Sequence, residues 1–143
     1  MHTIGLFILS HWLLFLSLLI IVSLLLMNAA RSSLLGFEEI KPADAVLLMN
    51  HDEPLLLDVR QADDFSHGHI GTAINIPYEQ LSGHISELQT NRDRKIIVYC
   101  HNGQQSAHAA ALLAKQGFPD VCKLRGGLQE WRSAHLPLNR SSS

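Results

Sequence analysis

The sequence predicts an α/β domain built on a parallel sheet and carried behind one apolar, membrane-spanning helix. Three observations predict it. The 11 basic and 13 acidic residues of the 143-residue chain all follow Ala30, so charge divides the chain in two. Beyond that point short apolar runs alternate with longer stretches of helical periodicity, the pattern of a parallel sheet covered by helices on both faces. The strongest run, Ile96-Ile97-Val98-Tyr99, leads straight into a cysteine and a polar loop, and sheets of this kind bind ligands at the C-terminal ends of their strands.

Residues 4–27 are apolar except for Ser10, His11, Ser17 and Ser23. As a helix this stretch reaches about 36 Å at about 1.5 Å per residue, enough for a hydrocarbon core of about 30 Å. A cleavable signal peptide is the main rival. It needs a basic start and an apolar stretch of about 7–15 residues; here no Lys or Arg precedes the run, and the run is longer. Asn28-Ala29-Ala30 resembles a cleavage site and keeps that rival open. Arg31 and Lys41 flank the C-terminal end and no cation flanks the other, so the positive-inside rule places the domain in the cytoplasm, beneath the inner membrane. His11 is expected near the outer interface and is given no function.

Residues 28–37 read as a juxtamembrane linker containing Ser32, Ser33 and Gly36. The domain then runs over residues 38–138. Residues 38–40 form a brief strand, and Pro42 suits the first turn of a helix to about Met49. The apolar run 55–59 is a buried strand. Residues 61–65 form a short helix and 73–76 a short strand closed by Pro77. Residues 78–89 form one helix with Leu81, Ile85 and Leu88 on one face. Residues 96–99, β-branched and aromatic, are the clearest strand. A helix follows over 106–116, with Ser106 as its N-cap and Gly117 ending it. Residues 121–124 are the last strand and 128–134 the last helix. The polar tail 139–143 is expected to be disordered.

The chemistry is expected in Cys100-His101-Asn102-Gly103-Gln104-Gln105-Ser106. A working thiol needs exposure, stabilisation of its anion and donors around the sulfur. A loop ending at a helix N-terminus offers unpaired N–H groups and the positive end of a dipole. Gly103 lets the chain curl back, so that several N–H groups form a nest for an anion. The bland alternative is that Cys100 is a small buried hydrophobe.

These residues, with others in order, resemble the rhodanese superfamily. The resemblance rests on Leu57-Asp58-Val59-Arg60; on Phe65 with Gly68-His69-Ile70-Gly71-Thr72-Ala73-Ile74-Asn75-Ile76-Pro77; on the 97–106 strand and loop; on Gly117-Phe118; and on Gly126-Gly127-Leu128 with Trp131. A span followed by one such domain is similar to the small membrane-anchored rhodaneses of bacteria. What the resemblance implies is a three-layer α/β/α domain with a five-stranded parallel sheet and a loop cysteine, Cys100, that becomes a persulfide. Sulfur would pass from a small-molecule or protein donor to a thiol or other nucleophile by ping-pong covalent catalysis. Residues 101–106 would line the sulfur, Asp58 and Arg60 would support the site structurally, and no cofactor is implied.

Several neighbouring readings are weaker. A phosphatase needs an arginine closing the loop on the phosphate dianion, and position 106 is Ser. His101 is the one ionisable side chain among residues 101–105, so thiosulfate, a dianion, is expected to be a poor donor. Cys122 sits mid-strand and reads as buried rather than as a second working thiol. His67-Gly68-His69 offers too few ligands for a metal site, and Trp131 reads as a core aromatic. A net charge of −2 gives no reason to expect nucleic acid. Two functions from different classes stay open: a sulfurtransferase that turns over, and a membrane-tethered module that uses the fold to engage another membrane or cytosolic protein.

Overall fold

The computed structural model describes residues 2–141; the expected tail residues Ser142 and Ser143 lie outside the described residues. The chain divides into two units, one ending at Leu34 and one beginning at Leu35. In the first, α1 (His2–Ser10) and α2 (Trp12–Leu35) are separated by a turn at His11. Trp12–Arg31, 20 residues of mean hydropathy 2.6, is long and apolar enough to cross a membrane. Its leucines and isoleucines lie exposed. The helix runs on to Leu35 through most of the stretch read as a linker. Ala29, Ala30 and Leu34 are good helix formers, and nothing before Gly36 stops them.

The second unit contains β1 (Glu38–Ile40), α3 (Pro42–His51), β2 (Leu55–Asp58), α4 (Ala62–His67), β3 (Ile74–Asn75), α5 (Tyr78–Leu81), α6 (Ile85–Leu88), β4 (Ile96–Tyr99), α7 (Gln104–Lys115), β5 (Val121–Leu124) and α8 (Gly127–Ser133). The five strands form one parallel sheet in the order β1-β5-β4-β2-β3. Helices cover both faces, the three-layer arrangement expected. Strand alternation sorts the core: Leu55, Leu57, Ile96, Val98 and Cys100 pack with Leu81, Leu88, Ala109, Ala110 and Leu113 on one face. Leu56, Ile97 and Tyr99 pack with Ala45, Ile70, Leu128 and Trp131 on the other. Each fully buried aliphatic side chain contributes about 1.5–3 kcal/mol relative to exposure.

Helix α7 shows how the local sequence serves this packing. Its buried residues are Ser106, Ala109, Ala110 and Leu113, at the spacing of one helical face. Three of the four are small, so the helix lies close to β4 and its first turn comes down onto the end of that strand.

Two further expectations are corrected. The single helix over 78–89 is instead α5, a 3-10 turn at Ser82–His84, α6 and a second 3-10 turn at Gln89–Asn91. Ser82-Gly83 is a poor helical pair, and the α-helical register fails there. The tail is ordered at its start: Asn139 exchanges backbone hydrogen bonds of 2.8 Å with His69 in both directions, and its side-chain amide donates to the Gly71 carbonyl at 2.8 Å.

Candidate active site

Because every strand runs the same way, the ends of β1, β2, β4 and β5 meet at one edge of the sheet. Cys100 is the first residue beyond the central strand β4. The Gly103 N–H donates to its Sγ at 3.0 Å and the Ser106 N–H at 3.4 Å. The thiol itself lies 3.4 Å from Ser106 Oγ, to which it donates. The Ser106 hydroxyl can rotate, so toward an anionic sulfur it is available as a third donor. Two main-chain amides and a hydroxyl thus converge on one sulfur atom.

Gly103 makes this possible. It occupies the N-cap of α7 with φ 98°, in the left-handed region. The helix therefore starts at Gln104, and the reading of Ser106 as N-cap is overturned: Ser106 lies inside the first turn, fully buried, with its hydroxyl on the sulfur instead of on the helix end. The free N–H of Gln104 is bonded by Asn102, whose Oδ1 accepts it at 3.1 Å. The side chains of His101, Asn102, Gln104 and Gln105 point outward and are exposed. Of the expected loop residues, Gly103 and Ser106 reach the sulfur directly.

The loop is also held from behind. Leu128 N–H donates to the Cys100 carbonyl at 2.8 Å and Gln129 N–H to the His101 carbonyl at 3.0 Å. These are first-turn amides of α8, which have no partner inside their own helix. Gly127 is required by the close approach, because a β-carbon there would collide with the Cys100 carbonyl. Cys100 is accordingly 1% exposed. The expectation of an exposed thiol does not hold; the sulfur is roofed by its own loop.

Asp58 and Arg60 form a buried pair next to this loop. Arg60 Nη2 lies 2.7 Å from Asp58 Oδ2, Arg60 Nε donates to both carboxylate oxygens at 3.1 Å, and Nη2 also donates to the Gly68 carbonyl at 2.7 Å. Burial pulls the Arg60 guanidinium down, but the hydrogen bonds and charge of Asp58 outweigh it and leave its pKa raised. Tyr99 lies between them and the loop: its hydroxyl accepts from Ile70 N–H at 3.0 Å, and its carbonyl from Val59 N–H at 3.1 Å. Burial, then the nearby Asp58 carboxylate, pushes the Tyr99 phenol strongly up. The pair's side chains bond each other, the Gly68 carbonyl and the Tyr99 hydroxyl, which fixes the β2 end beside Cys100.

Cys122 is buried mid-strand, as expected, with Lys95 Nζ 3.9 Å from its Sγ. Burial raises its pKa against the pull of Lys95. Trp131 is buried and donates Nε1–H to the Pro137 carbonyl at 3.0 Å. Two features escaped the sequence reading. Gly127 was noted as part of a motif but not as a clamp. Lys123 was passed over inside an apolar strand, yet a β-carbon built on Gly103 would stand 3.3 Å from its Nζ. A lone cation among Val121, Cys122 and Leu124 was the available signal.

Comparison with known proteins agrees with this geometry. Residues 41–134 match the model of the Rhodanese-like domain. The chain is 37% identical over 98 residues to the uncharacterized protein YibN of Escherichia coli, covering 68% of each chain. It is 39% identical over 80 residues to the thiosulfate sulfurtransferase GlpE of Shewanella oneidensis, covering 56% of this chain and 77% of that one. Among solved structures, a rhodanese-related protein from Thermoplasma volcanium superimposes with a TM-score of 0.67 at 30% identity, over 73% of this chain and 99% of that one. The motif order, the fold and these matches agree, and the chain belongs to the rhodanese-like domain family.

Proposed function

We propose that this protein is a sulfurtransferase that moves sulfane sulfur through a persulfide on Cys100. The observation that carries the reading is the convergence of the Gly103 and Ser106 amides on one sulfur. The names of the Shewanella oneidensis relative and of the Allochromatium vinosum relative, a sulfurtransferase 33% identical over 91 residues, support the reaction class. In the first half-reaction the Cys100 thiolate attacks the outer sulfur of a donor persulfide. The donor's S–S bond breaks, its thiolate leaves, and Cys100 carries the terminal sulfur as an anion. An acceptor thiolate then attacks that terminal sulfur, the bond to Sγ breaks, and the Cys100 thiolate returns. The amides stabilise the negative charge of the Cys100 thiolate, the attacking group of the first step and the leaving group of the second.

Thiosulfate is the poorer donor in this reading, because the exposed rim of the loop offers a dianion His101 and neutral amides. A low-molecular-weight or protein persulfide fits that rim better. The anchor is α2, with the domain on the cytoplasmic side, on the strength of Arg31 and Lys41; tethering raises the local concentration of sulfur near a membrane-bound acceptor.

The test uses the full chain in detergent, exposed to glutathione persulfide or to thiosulfate, followed by intact mass. The expected result is a gain of one sulfur, larger with the persulfide and absent in Cys100→Ser. The burial of Cys100 favours the second reading, a tethered binding module without turnover. No adduct from either donor would overturn the sulfurtransferase reading and leave that one standing.

A further inference from the structure

We propose that Lys123 is a positioning residue for the sulfur at Cys100, supplying positive charge beneath the loop from a different strand. The inference rests on the reading of Cys100 as the reactive group. Register places it: Lys123 pairs with Glu39 of β1 on one side and with Val98 of β4 on the other. Laterally paired residues of parallel strands point to the same face, so Lys123 emerges on the face that holds Val98 and Cys100. It rises there to meet the start of α7. A β-carbon on Gly103 would lie 3.2 Å from Lys123 Cε and 3.3 Å from Nζ, and Gly103 is the residue whose N–H lies 3.0 Å from Cys100 Sγ.

The placement is unfavourable for the fold taken alone. A cation beside the first turn of a helix opposes the helix dipole, and a largely buried ammonium loses hydration. Glu39 offsets part of this: its Oε2 lies 2.7 Å from Nζ, but Glu39 is 47% exposed while Lys123 is 14% exposed. The carboxylate is thus half in water and the ammonium under the loop. A negative sulfur at position 100 completes the compensation.

The other ionisable groups around the loop do not duplicate this. His101 and His108 are exposed on the loop and on α7, with Tyr78 beside His108. Arg125 is exposed, Glu130 folds over Gly126 at the start of α8, and Asp58 and Arg60 are bound to each other. Lys123 is the covered cation against Gly103.

The test is the pH–rate profile of iodoacetamide alkylation at Cys100, read by peptide mapping on the full chain in detergent, for the native protein, Lys123→Met and Lys123→Arg. Met keeps an apolar stem and removes the charge. The expected result is alkylation about 3- to 10-fold slower at neutral pH in Lys123→Met, with the profile displaced to higher pH. Lys123→Arg stays near the native profile. A Lys123→Met profile that superimposes on the native one overturns the proposal, and so does an equal loss in both variants, which marks packing by the stem. Alkylation needs no sulfur donor, so the two readings fail separately. A chain that takes up no sulfur but shows the lysine-dependent profile loses the sulfurtransferase reading alone, and a chain that loads sulfur with a lysine-independent profile loses this one.

Discussion

Gly103 donates its N–H to Cys100 Sγ at 3.0 Å from a backbone with φ 98°. The two features are inseparable, because the left-handed turn is what aims that N–H back at the strand end. Gly103→Ala forces a side chain into a conformation that costs about 1–2 kcal/mol, and brings a methyl within 3.2 Å of Lys123 Cε. The expected outcome is a loss of about 1–2 kcal/mol in urea unfolding, with sulfur loading slowed about tenfold or more because the donor is turned away.

Ser106 separates chemistry from folding more cleanly. It is buried, 3.4 Å from the thiol, and its N–H remains on the sulfur whatever its side chain. Ser106→Ala removes one donor to the anion, worth about 0.5–1.5 kcal/mol. Persulfide formation should slow roughly 3- to 10-fold, while urea unfolding moves by less than about 1 kcal/mol. An equal effect on both measurements would count against a role at the sulfur.

Arg60 acts on stability. Arg60→Met strands Asp58, which is 0% exposed, and frees the Gly68 carbonyl from its bond. Breaking a buried pair from one side costs about 3–5 kcal/mol. The double variant Asp58→Asn with Arg60→Met should recover part of that loss, since the stranded charge is gone. Chemical denaturation of the four proteins measures both numbers, and additive losses would show that the two side chains do not act as a pair.

Alkaline pH should loosen the domain. Cys122 and Tyr99 have pKa values raised above their ordinary 9.0 and 10.0, each chiefly by burial, and Lys95 is raised above 10.5 because its hydrogen bond to Asp120 and nearby negative groups outweigh burial. All three keep a proton in the folded chain that the unfolded chain releases. Their contribution is complete below the ordinary values and is lost as pH rises through the folded ones. Urea midpoints should therefore be flat up to about pH 8 and fall by about pH 10, with the earliest part of the fall reduced in Cys122→Ala.

Much of the fold was legible because its signals are local. The runs 55–58 and 96–99 are apolar, short and bounded by turn residues, so their strand character needs no tertiary information. The ordered Cys, Gly and Ser of the loop located the sulfur for the same reason. What escaped was non-local. The sequence suggested Ser106 as a cap by residue type, but Gly103 takes the cap position, and the serine's partner is a cysteine six residues back. Lys123 becomes meaningful only once register sets it beside Glu39 and under Gly103. Asn139 looked like a frayed end until its pairing with His69, seventy residues earlier, was known. Helix 78–89 failed for a local reason that periodicity outvoted: Ser82-Gly83 lies in its middle.

The anchoring of the Cys100 and His101 carbonyls by the first amides of α8 has a mechanical consequence. That side of the loop is pinned to a helix, whereas His101, Asn102, Gln104 and Gln105 turn their side chains to water. A displacement that uncovers the sulfur is therefore opposed at Cys100 and His101 and falls on the arc between the His101 carbonyl and α7. In the proposed persulfide form, a second sulfur bonded about 2.0 Å beyond Sγ would need the same space, so loading would change the shape of the loop surface.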